Sequence, residues 1–509
     1  MGKRSKLSGF LAAAILLLCS STATATDRYW IVSSGGWSTA ANWVPLPGTE
    51  PSSADNAYIQ NSGTATITAS GEVCKYLYLG NTNSGTVNMT AGSLTISGFS
   101  YIGYSSTGVF TQSGGTNAIV PSTEFSLYLG YNSGASGIYN LSGSGQLLSP
   151  SENIGYISTG IFIQSGGNNR TGVLNIGSQS DSNGTYNLYG SGALVANIDE
   201  HIGLNGTGIF TQSDGTNTIS SGLYLGHNSG SNGKYNLNGS GQLKAASGYI
   251  GNSGTGTLNQ SGGTNTVNAL TLGRYSASSG TYNLTGGTLF LTSISKGDGD
   301  AAFNFGGGTL QPNSSFTTTL PMTLTGINGN ANLDTTVFTV GLSGVLSGTG
   351  GLNKFGSGKL TLSALNTYSG DTIVNDGTLE IAGGIDANGT SLIDVQAGKA
   401  LLKTVNVTKE NLDITTAALA TFEVANGTHE VGVIDGSGIT QVDDGASLTA
   451  TSIRQGTVII GAGAKIILKP RAGIGPLSTR ITPIPEPSII VLLAGTLLAL
   501  AYNWVKKEK

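Results

Sequence analysis

The sequence predicts an all-β fold, an elongated right-handed parallel β-helix, and three observations point there. Glycine supplies 80 of the 509 residues with only 12 prolines and no collagen period, which calls for frequent tight turns. The body shows no helical periodicity, and its apolar runs are short and bounded by Gly, Ser or Asn. A Leu-Gly or Ile-Gly pair returns at Leu79-Gly80, Leu129-Gly130, Ile176-Gly177, Leu225-Gly226 and Leu272-Gly273, with the glycines 50, 47, 49 and 47 residues apart. Such a period marks a solenoid, whose units bury their apolar faces only against one another.

The chain opens with Lys3, Arg4 and Lys6, an apolar run from Leu7 to Leu18, and the small residues Ala23-Thr24-Ala25. This reads as a secretory signal peptide over residues 1–25, with Ala23 and Ala25 defining the cleavage site. Residues 26–75 are expected to form an N-terminal cap and the first strands. Trp30, Trp37 and Trp43, three of the four tryptophans, fall just before the repeats. An open coil exposes its uppermost core, so an atypical aromatic cluster there reads as a cap rather than a sugar-binding platform. Trp37-Ser38-Thr39-Ala40-Ala41-Asn42-Trp43, followed by Pro47-Gly48 and Ala54-Asp55, resembles the opening segment of large β-helical surface proteins.

Residues 76–297 carry the repeat of about 48 residues. A second series, Ile102-Gly103, Ile154-Gly155, Ile202-Gly203 and Ile250-Gly251, divides each period into halves of 22 to 27 residues, so each period is two coils. One half holds Leu127-Tyr128-Leu129-Gly130, then Ile138 to Gly143, then Gln146-Leu147-Leu148: three strands with turns between them. Parallel stacking sets equivalent residues about 4.8 Å apart along the axis. Tyr139, Tyr186, Tyr235 and Tyr282 recur in one half and Phe110, Phe162 and Phe210 at the matching place in the other, so each ring can stack on the next. Asn140, Asn187, Asn236 and Asn283 are expected to run amide hydrogen bonds along the axis. Gln112, Gln164, Gln212 and Gln260 align with Leu141, Leu188, Leu237 and Leu284; either the glutamines are buried with partners or the position lies near a turn.

A different phrase occupies residues 298–470. Gly348 to Leu362, containing Lys354-Phe355-Gly356-Ser357-Gly358, leads into Asn366-Thr367-Tyr368-Ser369-Gly370 and Gly377-Thr378-Leu379. Over about residues 346–383 this resembles the autotransporter-associated β-strand repeat, which implies a coil with a Lys-x-Gly-x-Gly turn, an Asn-Thr-Tyr-x-Gly turn and a Gly-Thr-Leu strand. True autotransporters end in an outer-membrane barrel domain; this chain does not follow that pattern. Roughly 400 residues at about 23 per coil predict some 17 coils and a rod near 80 Å.

A Pro- and Thr-rich linker, 471–484, precedes the tail at 485–509. There Pro485, Glu486, Pro487 and Ser488 are followed by an apolar run and by Lys506, Lys507 and Lys509. From Ile489 through Val505 the run spans about 26 Å as a helix, enough for one membrane crossing with the lysines in the cytoplasm. Order and spacing resemble the PEP-CTERM sorting signal of bacterial surface proteins. That resemblance implies an exosortase-type membrane transpeptidase as partner, transient anchoring through the C-terminal helix, release to the cell surface or extracellular matrix, and association with exopolysaccharide.

Charge and chemistry point the same way. The net charge is −4, of which the two termini carry +3 and +1, leaving the body near −8 with no basic stripe for nucleic acid. Only Cys74 remains after signal cleavage, so no intrachain disulfide forms. Gly356-Ser357-Gly358-Lys359 lacks the glycine and the Ser or Thr of a phosphate loop, and His201, His227 and His429 have no metal-ligand spacing. No cofactor and no metal site is expected. The enzymatic alternative is a β-helical polysaccharide lyase or glycoside hydrolase, for which Asp199-Glu200-His201 and Asp443-Asp444 are the best acids; both read as solvated turn residues. Asp298 and Asp300 are a weak candidate for calcium. The expected function is a non-enzymatic structural or adhesive protein, exported by Sec and displayed on the cell surface.

Overall fold

The computed structural model describes residues 26–45, 49–120, 126–403 and 406–469, together with the backbone of 480–481 and 492–493. Among these residues the chain is a parallel β-solenoid of about 17 turns. One sheet of 39 strands and a second of nine carry nearly all the pairing. A coil has three faces. The first begins with Asp27–Trp30, Asn56–Ile59, Tyr76–Leu79, Ser100–Ile102 and Leu127–Leu129. The second holds Thr107–Gln112, Ser136–Leu141, Thr159–Gln164, Asn183–Leu188 and their successors, and the third holds Ser93–Ile96 and Thr116–Ile119. From Gln146–Ile154 onward the third face often runs into the first without a break.

The turn glycines make this stacking possible. Gly130 has φ of 67°, and a Cβ there would lie 2.2 Å from the carbonyl oxygen of Thr159 in the next coil. Only glycine fits both the left-handed backbone and the close approach.

Antiparallel pairing occurs only at the ends. Trp43–Val44 folds back along Asp27–Trp30 and covers its free edge. Trp30, Trp37 and Trp43 are 2%, 0% and 0% exposed, and Trp43 packs edge-on against the other two at 5.1 and 5.0 Å. The Trp43 indole N–H donates to the Trp37 carbonyl at 2.8 Å. The cluster therefore closes the coil and presents no platform to a sugar. At the other end Arg480–Ile481 runs antiparallel to Ile466–Ile467, and Leu492–Leu493 to Thr457–Val458.

Among the described residues the only helical element is the short 3-10 turn Ala40–Asn42, and no helix is long and apolar enough to cross a membrane. The span expected over 489–505 is not supported at Leu492–Leu493, which are extended, and the rest of it lies outside the described residues.

Inside the second face the expected aromatic ladder is present as one column. Phe110, Tyr139, Phe162, Tyr186, Phe210 and Tyr235 stack at 4.8, 4.9, 4.6, 4.8 and 4.6 Å with planes within 6°. Leu258 interrupts it before Tyr282 and Phe303 resume it at 5.3 Å. Stacked pairs contribute about 0.5–1.5 kcal/mol each beyond their buried area. The glutamines are buried and fully used. Tyr139 donates its hydroxyl to Gln112 Oε1 at 2.6 Å and accepts from Asn117 Nδ2 at 3.1 Å, while Gln112 Nε2 donates to the Gly115 and Gln146 carbonyls. Tyr186 with Gln164 and Asn169, Tyr235 with Gln212 and Asn217, and Tyr282 with Gln260 and Asn265 repeat the motif.

The outer asparagine ladder is shorter than expected. Asn140 and Asn187 are separated by Ile163, and Asn187 and Asn236 by Thr211, because the intervening half-coil fills the same column. A continuous amide ladder forms where both halves supply Asn: Asn236, Asn259, Asn283 and Asn304, joined at 2.9, 2.7 and 2.7 Å.

Candidate ligand-facing surface

Ala23, Ala25, Pro485, Glu486, Pro487, Ser488, Lys506, Lys507 and Lys509 all lie outside the described residues. The acids weighed for catalysis are scattered by strand alternation. Asp199 accepts from the Gly222 backbone N–H at 2.8 Å, Glu200 points inward, and His201 points outward against Asn175 Oδ1 at 2.9 Å. Asp443 and Asp444 are turn residues, accepting from Gln441 Nε2 and the Ala462 backbone N–H, both at 2.7 Å. Among the described residues no group of three or more His, Cys, Asp or Glu could hold a metal.

Glu200 is therefore not a solvated turn acid. Register places Glu152 and Glu200 in one inward column alternating with Leu127, Leu174 and Leu223, while the neighbouring column alternates Leu147, Asn169, Leu194 and Asn217. Each Glu meets the Asn of the coil above: Asn169 Nδ2 donates to Glu152 Oε2 at 2.9 Å, and Asn217 Nδ2 to Glu200 Oε2 at 3.0 Å. Ser149 adds a hydroxyl to Glu152 Oε1 at 2.9 Å, but at that register the later coils carry Ala196 and Ile219, and Glu200 Oε1 has no partner. Burial, against the pull of these hydrogen bonds, pushes Glu152 up to about 7 and Glu200 up to about 8. The spacing of 48 residues between them was visible in the sequence; their direction was not.

Opposite in character is the outer side of the first face. Tyr29, Tyr58, Tyr78, Tyr101 and Tyr128 fall in register and stack at 4.9, 4.4, 5.0 and 5.3 Å. A second row, Tyr104, Tyr131 and Tyr156, follows Gly103, Gly130 and Gly155, whose left-handed turns bring the next side chain beside the first row. The rows meet edge to face: Tyr101 and Tyr131 at 4.7 Å, Tyr128 and Tyr156 at 4.9 Å. Beyond Tyr128 the first row becomes polar, with Asn175 Nδ2 donating to Asn153 Oδ1 at 3.1 Å. It turns aromatic again at His201, Tyr224 and Tyr249, where Arg274 lies 4.1 Å over the Tyr249 ring.

The hydroxyls separate this wall from the inner ladder. The hydroxyls of Tyr101, Tyr104, Tyr128, Tyr131 and Tyr156 make no hydrogen bond among the described residues and are not sealed from solvent. Burial and the neighbouring phenols hold the tyrosines protonated, at about 12 for Tyr78 and Tyr128 and higher for Tyr58 and Tyr101. The wall was not among the features expected from the sequence. Its signal was Tyr101-Ile102-Gly103-Tyr104 and Tyr128-Leu129-Gly130-Tyr131, where alternation around an inward Ile or Leu sends the first tyrosine outward.

In the second half, Lys354 has the role that its turn motif calls for. It is buried, and its ammonium donates to Thr335 Oγ1 at 2.9 Å and to the carbonyls of Phe355, Gly356 and Asp376 at 3.0, 2.5 and 2.9 Å. Asn366 Oδ1 accepts from the Leu346 N–H, and Tyr368 and Thr372 join hydroxyls at 2.6 Å. These residues tie coils together.

Residues 352–381 match the passenger-associated-transport-repeat family. The match begins at the strand carrying Lys354 and ends with the Gly-Thr-Leu strand. The chain is also 35% identical over 113 residues to the adhesin BmaC autotransporter of Brucella suis biovar 1 (strain 1330), covering 19% of this chain and 3% of that protein. The chain thus spans a small part of its relative's length. No solved structure matches. Both likenesses are to autotransporter passenger-type proteins, and each covers a short stretch of this chain.

Proposed function

We propose that the chain is a rod displayed at the bacterial surface, where it adheres to or organises the exopolysaccharide matrix. The observation that carries this reading is the parallel solenoid itself, whose outer faces offer long rows of Asn, Thr, Ser and Tyr, while the acids and bases of the second sheet, Glu380 with Lys359 and Lys403 and Glu423 with Lys399, are taken up in ion pairs. Glycoside hydrolysis uses paired acids on one face, and alternation puts Glu200 inside and Asp199 against a backbone N–H. Incubating the purified body with acidic and neutral polysaccharides tests the reading: retention without cleavage products is expected, and cleavage would overturn it.

Export follows the signal peptide and Sec. Sorting runs through Pro485, Glu486, Pro487 and Ser488, the apolar span and the lysine tail, as substrate of an exosortase-type transpeptidase. Replacing Pro485, Glu486 and Pro487 by alanine is expected to leave unprocessed protein in the membrane fraction; normal processing would remove the sorting role.

A further inference from the structure

We infer that the tyrosine wall of the first face, from Tyr58 to Tyr156, is the glycan-binding site of this rod, and that its ligand is a neutral polysaccharide lying along the solenoid axis. This deepens the adhesive reading and rests on it.

The first argument is residue choice. The inner column alternates Phe with Tyr, and where it carries Tyr the hydroxyl is consumed by a Gln and an Asn. The two outer rows are tyrosine at all eight positions, Tyr29 to Tyr128 and Tyr104 to Tyr156, although phenylalanine would stack equally well. The five hydroxyls of Tyr101, Tyr104, Tyr128, Tyr131 and Tyr156 have no partner among the described residues. A row of phenols that stays protonated offers both a donor and an acceptor at each step.

The second argument is geometry. Rings stacked at 4.4 to 5.3 Å cover one another's faces, so the wall presents ring edges and hydroxyls at the pitch of the coils. A ligand matching it repeats along its length and carries polar groups at every unit. Polysaccharide hydroxyls meet that need. An extended peptide would seek a free strand edge instead, and the solenoid pairs its strands on both sides here.

The third argument is charge. Among the described residues Asp27 is the one carboxylate that acts on Tyr58 and Tyr78, and none acts on Tyr101, Tyr128 or Tyr131. Arg28 is committed to Asp55 at 3.7 Å, and Lys75 lies over Tyr76 at 5.1 Å. Among the described residues an acidic polymer would find a single uncommitted cation, Lys75 at the edge of the wall beside Tyr76, whereas a neutral one needs no counter-charge there.

The test compares the native chain with a Tyr101→Phe, Tyr131→Phe, Tyr156→Phe triple variant on immobilised neutral polymers (a β-glucan, a galactomannan and dextran) and acidic ones (alginate and hyaluronan). Phenylalanine keeps the stack, and an unchanged circular dichroism melt confirms the fold. The native chain is expected to be retained on at least one neutral polymer and less on the acidic ones. The triple variant should lose about tenfold or more in affinity, one hydrogen bond being deleted at each position. Equal retention of variant and native chain would overturn the wall as the site while leaving the adhesive reading intact, as would preference for acidic polymers. No retention of the native chain on any polymer would overturn both.

Discussion

Glu200 and Lys354 are single residues whose burial decides how they behave. For Glu200, and for Glu152 two coils below, the native carboxyl keeps its proton where the unfolded chain has already released it. Their contribution is fully present below the ordinary carboxylate range and is lost as pH rises through about 7 and about 8. Stability should fall across that window by at most about 1.4 kcal/mol per pH unit for each group. Glu200→Gln keeps the bond from Asn217 and removes the proton, so its melting temperature is expected to vary less between pH 5 and 8 than that of the native chain. An unchanged slope would count against a neutral buried carboxyl. Lys354→Met would remove four hydrogen bonds, the Phe355 and Gly356 carbonyls keeping Thr335 as donor and the Asp376 carbonyl losing its ammonium, an effect of about 1–3 kcal/mol, seen as faster proteolysis near residues 352–381.

At the scale of the element, the ladder shows what a coil adds to its neighbours. Stacking and hydrogen bonding are separable: Tyr186→Phe keeps the ring between Phe162 and Phe210 but leaves Gln164 Oε1 without its donor. The expected loss is about 1–3 kcal/mol, read from chemical denaturation. Tyr101→Phe on the outer wall removes a hydroxyl without an internal partner and should change stability by less than about 0.5 kcal/mol. The contrast checks that the inner hydroxyls hold the fold and the outer ones do not. The ladder positions were legible in the sequence because parallel stacking turns a repeat period directly into a column. Continuity of the asparagine row was not, since it depends on what each intervening half-coil contributes, Ile163 and Thr211 breaking it and Asn259 completing it.

For the whole molecule, stability is nearly one-dimensional: each coil touches the coils above and below, and the ends are the exposed surfaces. Trp43–Val44 and the buried tryptophans close the N-terminal end. Deleting residues 26–55 would bare the edge of Asn56–Ile59 and is expected to increase concentration-dependent association relative to the native chain, measured by light scattering. Association unchanged by the deletion would show that the cap is dispensable.

The coil period, the inner aromatic column and the tryptophan cap could be read from residue order, because in a parallel solenoid spacing along the chain becomes height along the axis, and the lysine turn from its resemblance to a known repeat. Direction could not. Whether a side chain at a given height faces the core or the solvent depends on the strand's phase against its neighbours, and a shift of one residue reverses it. Tertiary structure therefore decided that the glutamines and Glu200 are internal, and that Tyr101, Tyr128 and Tyr131 pack into an outward-facing wall whose rings cover one another and whose hydroxyls have no partner among the described residues.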